Sequence, residues 1–399
     1  MINQGNDDLR PSQLGTVVRV SLLISLVLLT FAAQQPPMLV AGTFLCALYA
    51  LANFSPARIS NDRLLAFVLA TALFLPALYK PYHGLSPVFY AFSTVATFFA
   101  ARVVTRHPPE VLLAAFRLVY GASVFAIAAI LYIYWDSPAP LGMVIEGSST
   151  NVIPSYLIVI QIGLSLCTYL VKRQLPLLSP VLTAAVAFFG SGRGSLVIAG
   201  LIILVSLLLN ISLTRSISRK HHGFFLLLLT LTIILFVWNA DELVELLINY
   251  TKLSVGLVDT NRLEIWDQYI GKLEPWTLLF GADYSGTVIE SEYLGNPHIA
   301  YIRTHSFFGL PLTALALLSP AFLFISRKTL SATLVFFSFV GLAALRAAAE
   351  PIFFPTLLDF FYFIYFFLFF RYAPPARRHA NRSFAGARRA MKKHLKLEP

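Results

Sequence analysis

Ionisable side chains are scarce in this chain, and several of them stand where apolar runs begin or end. In "GNPHIAYIRTHSFFG" (residues 295–309) two histidines flank an arginine, and Pro297 is a natural helix initiator. A helix from that proline puts His298, Ile302 and His305 on one face at i, i+4, i+7, beside Arg303. Arg193 lies in "FFGSGRGSLVIAG", where glycines permit tight turns with inward-pointing N–H groups and the next apolar run starts, so arginine and helix dipole address the same anion. Arg262 opens "TNRLEIWDQYIGK"; Asn261 and Glu264 have capping-box spacing for a helix to about Lys272, and a cation at a helix start invites a counter-anion. Arg346 and Glu350 in "LRAAAEP" are four apart, as in a helical ion pair. Asp359 falls inside an apolar run, where a carboxylate is costly. Neither an HExxH motif nor a cysteine pair supplies metal ligands, and no cofactor is expected.

The elements that must position these groups are membrane spans. The 399 residues are 57% hydrophobic and 12% charged, with mean hydropathy +0.74, too apolar for a single soluble core. Runs long enough for a hydrocarbon core of about 30 Å recur about twelve times. They lie near 14–33, 36–53, 63–79, 84–104, 110–135, 153–172, 175–190, 194–213, 223–240, 301–325, 329–345 and 352–371. The expectation is an all-α polytopic membrane protein of about 12 transmembrane helices with one large outer loop. Its parts are helices 1–9 in 1–239, a loop with short amphipathic helices in 240–300, helices 10–12 in 301–371, and a basic tail in 372–399. Ala32, Ala33 and Gln34 resemble a signal-peptide cleavage site, but the first run is read as an uncleaved span. Cys46 and Cys167 both fall within spans, which argues against a disulfide framework.

Charge orients the bundle. With the N-terminus inside, the inner loops carry Arg58 and Arg63, Arg102 and Arg106, Lys172 and Arg173, Arg215, Arg219 and Lys220, and Arg327 and Lys328. Nine of the thirty Lys and Arg stand from Arg371 onward, which suits a headgroup-facing cytoplasmic tail better than a nucleic-acid arm and accounts for much of the net charge of +11. Arg193, Arg262, His298, His305, Arg346 and Glu350 then all belong to the outer side, whereas a transporter more often keeps such groups at mid-bilayer. Leu263, Trp266, Ile270 and Leu273 form one apolar stripe, suited to lying on the membrane or capping the bundle.

Over roughly residues 150–370 the ordered set resembles the O-antigen ligase and Wzy-type polysaccharide polymerase superfamily of bacterial membrane glycosyltransferases. The residues that carry the resemblance are Asn151 before a span, "SGRGS", Arg262 with Trp266 and "LLFGAD", His298 with Gly309 eleven residues on, and Glu350. The family's histidine is usually followed by Asn, Ser or Gln; Ile299 follows His298 and Ser306 follows His305, while the glycine spacing favours His298. The resemblance implies a GT-C-like membrane fold in the bacterial inner membrane, with both termini cytoplasmic and a periplasmic site. It implies transfer of glycan from an undecaprenyl-diphosphate-linked donor to another glycan or to lipid A-core, metal-independent and without nucleotide sugar. In that reading Arg193, Arg262 and Arg346 hold the diphosphate, and His298, His305 or Glu350 serves the acceptor hydroxyl as base. A single large outer loop leans toward the ligase. The competing class is a transporter or flippase of lipid-linked glycans.

Overall fold

A computed structural model describes residues 11–53, 60–79, 83–137, 140–144, 151–190, 192–213 and 260–376. The ninth apolar run (223–240), the loop arginines 215 and 219, the first part of the outer loop (240–259) and the tail from 377 lie outside them. The described chain is all-helical, without strands, as expected for a polytopic α membrane protein.

Fourteen α-helices follow in order among the described residues: α1 Pro11–Ala32, α2 Pro36–Ala52, α3 Ser60–Leu78, α4 Ser86–Val104, α5 Pro109–Ile133, α6 Val152–Lys172, α7 Leu178–Phe189, α8 Arg193–Leu213, α9 Thr260–Gly271, α10 Pro275–Phe280, α11 Val288–Ser291, α12 Ala300–Leu318, α13 Leu330–Ala349 and α14 Asp359–Tyr372. Proline sets several starts, at Pro36, Pro109 and Pro275, where its missing N–H costs no helical bond. Among the described residues seven helices are long and apolar enough to cross a membrane: α1, α4, α5, α6, α8, α13, and α12 with its 3-10 continuation Ser319–Ile325. α2, α7 and α14 are shorter, and residues 352–358, expected in the last span, form turns ahead of Asp359.

α6 is the central helix. Its side chains are buried from Pro154 to Leu170 with no polar face turned outward, the pattern of a helix surrounded by others. α5, α7, α13 and α14 pack around it, and α4 joins α2 and α3 to α14. Cys46 and Cys167 are buried free thiols. Hydrogen bonds gather the turns at two ends. At one end the Tyr372 hydroxyl donates to the His107 carbonyl at 2.7 Å and lies 3.1 Å from that of Thr105, Lys328 donates to that of Ala373, and Asn210 brackets Leu175. Arg106, Arg173, Arg327 and Arg371 belong to this end. At the other end α6, α8, α12 and α14 begin and α13 finishes.

Residues 260–299 cover the start of α12. α9 spans nearly the length its capping pattern predicts, and the expected stripe is divided: Trp266 and Leu273 pack against the bundle beside sealed Ile265 and Tyr269, whereas Leu263 and Ile270 are exposed. α10 begins with a capping box between Glu274 and Thr277 and packs on α12. There Gly309 breaks the helix at φ 78, and a Cβ at that position would sit 2.3 Å from the Leu279 carbonyl oxygen. Only glycine allows both the left-handed backbone and that approach.

Candidate functional site

Two polar assemblies occupy the end where α6, α8 and α12 begin. The first joins the starts of α6 and α8 to the finish of α13. The Arg346 side chain is 1% exposed, and its Nη2 lies 2.8 Å from Ser155 Oγ, 3.0 Å from Ser195 Oγ and 2.6 Å from Glu350 Oε2. Ser155 Oγ is also 2.9 Å from the Glu350 carboxylate, and its single hydrogen serves either that group or the Asn151 carbonyl at 2.7 Å. The i, i+4 spacing of Arg346 and Glu350 thus forms an ion pair, buried rather than on a surface.

Glycine makes this junction possible. A Cβ at Gly192 would overlap the Asn151 side chain, and one at Gly194 would stand 2.9 Å from Arg346 Nη1. The glycines flanking Arg193 therefore let an asparagine and a guanidinium lie on the first turn of α8. Arg193 itself is half-buried at the first position of that helix. The sequence pattern "N…SGRGS…R…E" is brought to one place.

The electrostatics of this place are lopsided. All three protein oxygens crowd Nη2, which has two hydrogens, while the buried Nε and Nη1 of Arg346 have no hydrogen-bond partner among the described residues. Each unmet donor in a dry setting costs roughly 1–3 kcal/mol. Arg346 is paired with Glu350, and the positive ends of the α6 and α8 dipoles add to the field at its other two nitrogens. An anionic oxygen against Nε, Nη1 and the α8 start would satisfy those donors and suit the helix dipoles.

The second assembly fastens residues 260–299 to α12. His305 is buried; its Nδ1 is 2.8 Å from the Tyr269 hydroxyl and its Nε2 is 2.7 Å from the Leu278 carbonyl. A carbonyl only accepts, so Nε2 carries the proton and Tyr269 donates to Nδ1. Burial raises the Tyr269 pKa, so the hydroxyl stays protonated as that bond requires. One residue on, Ser306 donates to the Ala282 carbonyl at 2.6 Å and is 2.8 Å from His83 Nε2. Lys272 bridges Asp283 (2.5 Å) and the Ser285 carbonyl (2.6 Å) within the segment.

Arg303 and Asp359 fix the neighbouring turn. Arg303 Nη2 donates to the Pro351 carbonyl at 2.6 Å, and its guanidinium lies over the Tyr90 ring. Asp359 accepts the backbone N–H groups of Phe354 (2.8 Å) and Thr356 (3.1 Å), so its buried carboxylate caps the 351–358 turns at the start of α14.

His298 differs from its expected placement. α12 begins at Ala300, and His298 precedes it at φ 53, its amide donating to the Asn296 side chain at 3.2 Å and its ring edge-on to Tyr293. A residue in the left-handed region cannot continue a right-handed helix, so His298 and His305 do not share a helical face. Arg262, half-buried in the first turn of α9, shares the inward face of that helix with Ile265 and Tyr269. It is carried by the covering segment. Ser155, Tyr269 and His83 have no local sequence signal; Ser195 is within the quoted glycine motif.

Among the described residues, no three His, Cys, Asp or Glu side chains come together as a metal site. Comparison with protein-family models, with curated proteins and with solved structures finds no match for this chain.

Proposed function

We propose that this protein is a membrane glycosyltransferase of cell-surface polysaccharide biosynthesis, of the O-antigen ligase or Wzy-type polymerase kind. In this reading it sits in the bacterial inner membrane with the Arg346 end facing the periplasm. The observation that carries the reading is the buried Arg346 guanidinium against Gly194 at the start of α8, its Nε and Nη1 unpaired among the described residues. The motif resemblance supplies the ligand class: the diphosphate of an undecaprenyl-linked glycan.

Glycosyl transfer from such a donor breaks the bond between the anomeric carbon and a phosphate oxygen and forms one to an acceptor hydroxyl. Negative charge grows on the departing diphosphate, and preorganised cations in a water-poor site stabilise it more than the ground state. Arg346 and Arg193 are assigned to that charge, with Arg262 approaching from the covering segment. The acceptor proton needs a base. His305 has both ring nitrogens committed to fastening the segment, and Glu350 is paired with Arg346, so His298 is assigned the acceptor side.

Purified protein in vesicles, given undecaprenyl-diphosphate-linked glycan and either a second such lipid or lipid A-core, tests the reading directly. A new glycosidic bond to one acceptor is expected and distinguishes polymerase from ligase. Movement of the lipid-linked glycan across the bilayer without bond formation overturns the reading in favour of a flippase.

A further inference from the structure

The covering segment has three sides rather than two. At about 100° per residue, Ile265 and Tyr269 mark the side of α9 sealed against the bundle. Asp267, Glu264 and Gln268 mark a polar side. Between them Leu263 and Ile270 fall within about 20° of each other, and they are 51% and 52% exposed although the buried side of the same helix is already filled. α10 continues that apolar edge: Trp276 is 60% exposed, and Leu278 and Leu279 are exposed too.

The neighbour of α10 says what covers this edge. α10 packs on α12 at Gly309, nine residues after Ala300 and so about 14 Å along the helix. From Ala300 to Gly309 the α12 side chains are buried apart from half-buried Arg303; from Leu310 onward they turn outward at Leu310, Leu315, Leu317 and Leu318. The lipid-facing surface of this span thus starts where α10 ends. Residues 310–325 that remain cover about 24 Å at helical rise, close to the hydrocarbon thickness of about 30 Å. The exposed apolar side of α10 adjoins that surface at Gly309, at the depth where tryptophan is enriched, and α9 presents exposed Leu263 and Ile270 in the same segment.

We infer that α9 and α10 lie in the plane of the membrane interface, with Leu263, Ile270, Trp276, Leu278 and Leu279 seated among the lipid acyl chains at the headgroup boundary. Their polar side faces water and their third side closes over α12. The occupant of the exposed edge is the bilayer itself, which explains why the edge is apolar without being packed against protein.

The test uses the full chain carrying W135F, W238F and W266F, so that Trp276 alone emits, reconstituted in phosphatidylcholine vesicles. Lipids brominated near the headgroup end of the acyl chain are expected to remove most of its emission, and aqueous iodide little of it. A second variant with all four tryptophans replaced by phenylalanine and carrying L294W reports the water-facing part of the segment, since Leu294 is 94% exposed at a turn. Iodide is expected to remove most of that emission. Quenching of Trp276 by iodide, by neither agent, or equal lipid quenching of both reporters overturns the inference. Because no transfer is measured, the outcome is independent of the proposed activity.

Discussion

The two polar assemblies at one end of this bundle use the same ingredients and reach opposite balances. At His305 both ring nitrogens are engaged: Tyr269, the imidazole and the Leu278 carbonyl form a closed chain, and Ser306 links Ala282 to His83, although the neighbouring Tyr284 hydroxyl and Arg303 Nε are left without a partner among the described residues. Around Arg346 three acceptors compete for one nitrogen and two other nitrogens have none. A satisfied buried network rigidifies its surroundings, and a partly satisfied one is an expense that a ligand can remove. The His305 assembly therefore reads as a fastening for residues 260–299, and the Arg346 assembly as a place made ready for an anion.

Arg346→Met breaks the contrast most severely. Loss of the guanidinium is expected to lower transfer by at least about 10²–10³-fold, measured in vesicles with lipid-linked donor. It also leaves the Glu350 carboxylate alone, costing about 3–5 kcal/mol. Adding Glu350→Gln should recover part of that stability and none of the activity. Inorganic pyrophosphate should raise the melting temperature of the unaltered protein and not that of the Arg346→Met variant.

His298→Ala should lower transfer by about 10²-fold while stability changes by no more than about 0.5 kcal/mol, since the side chain stands outside α12. His305→Ala should do the reverse in kind. It removes two buried hydrogen bonds and leaves their partners unmet, at about 1–3 kcal/mol each. Hydrogen exchange should quicken across 269–285, and any loss of transfer should follow that loosening. A folded, fully protected His305→Ala protein without activity, beside an active His298→Ala protein, would reverse the two assignments.

The smallest effect concerns Asp283. Burial alone would raise its pKa, but hydrogen bonds from Lys272 and Ser285 hold it below the ordinary carboxylate value. Its contribution is therefore present above the unfolded carboxylate pKa and is lost as pH falls through the lower folded value. Exchange protection of residues 272–285 should be flat near neutrality and decline only under acid conditions, and Asp283→Asn should abolish that decline.

Much of the fold was legible because lipid-spanning helices announce themselves by length and apolarity. Outside 223–240, each apolar run identified along the chain lies at least in part on a helix. The exceptions have local causes. Residues 352–358 are as apolar as a span, yet they form turns in which the amides of Phe354 and Thr356 are taken by the Asp359 carboxylate. The stripe on α9 was identified as apolar, but periodicity cannot tell a side facing protein from a side facing lipid. His298 stands outside the helix expected from Pro297 because its left-handed backbone has no local signature that separates it from a proline-initiated helix start.

What the sequence by itself determined is the all-helical, membrane-like class and the nearness of Arg346 to Glu350, because both follow from local spacing. Only the tertiary structure decided that Asn151, Ser155, Gly192, Gly194, Ser195 and Arg346 meet, and that His305 is fully occupied. Those relations join residues up to 195 positions apart, through packing of α6, α8 and α13. No local propensity encodes that contact; it exists because two glycines leave room for side chains that approach from other helices.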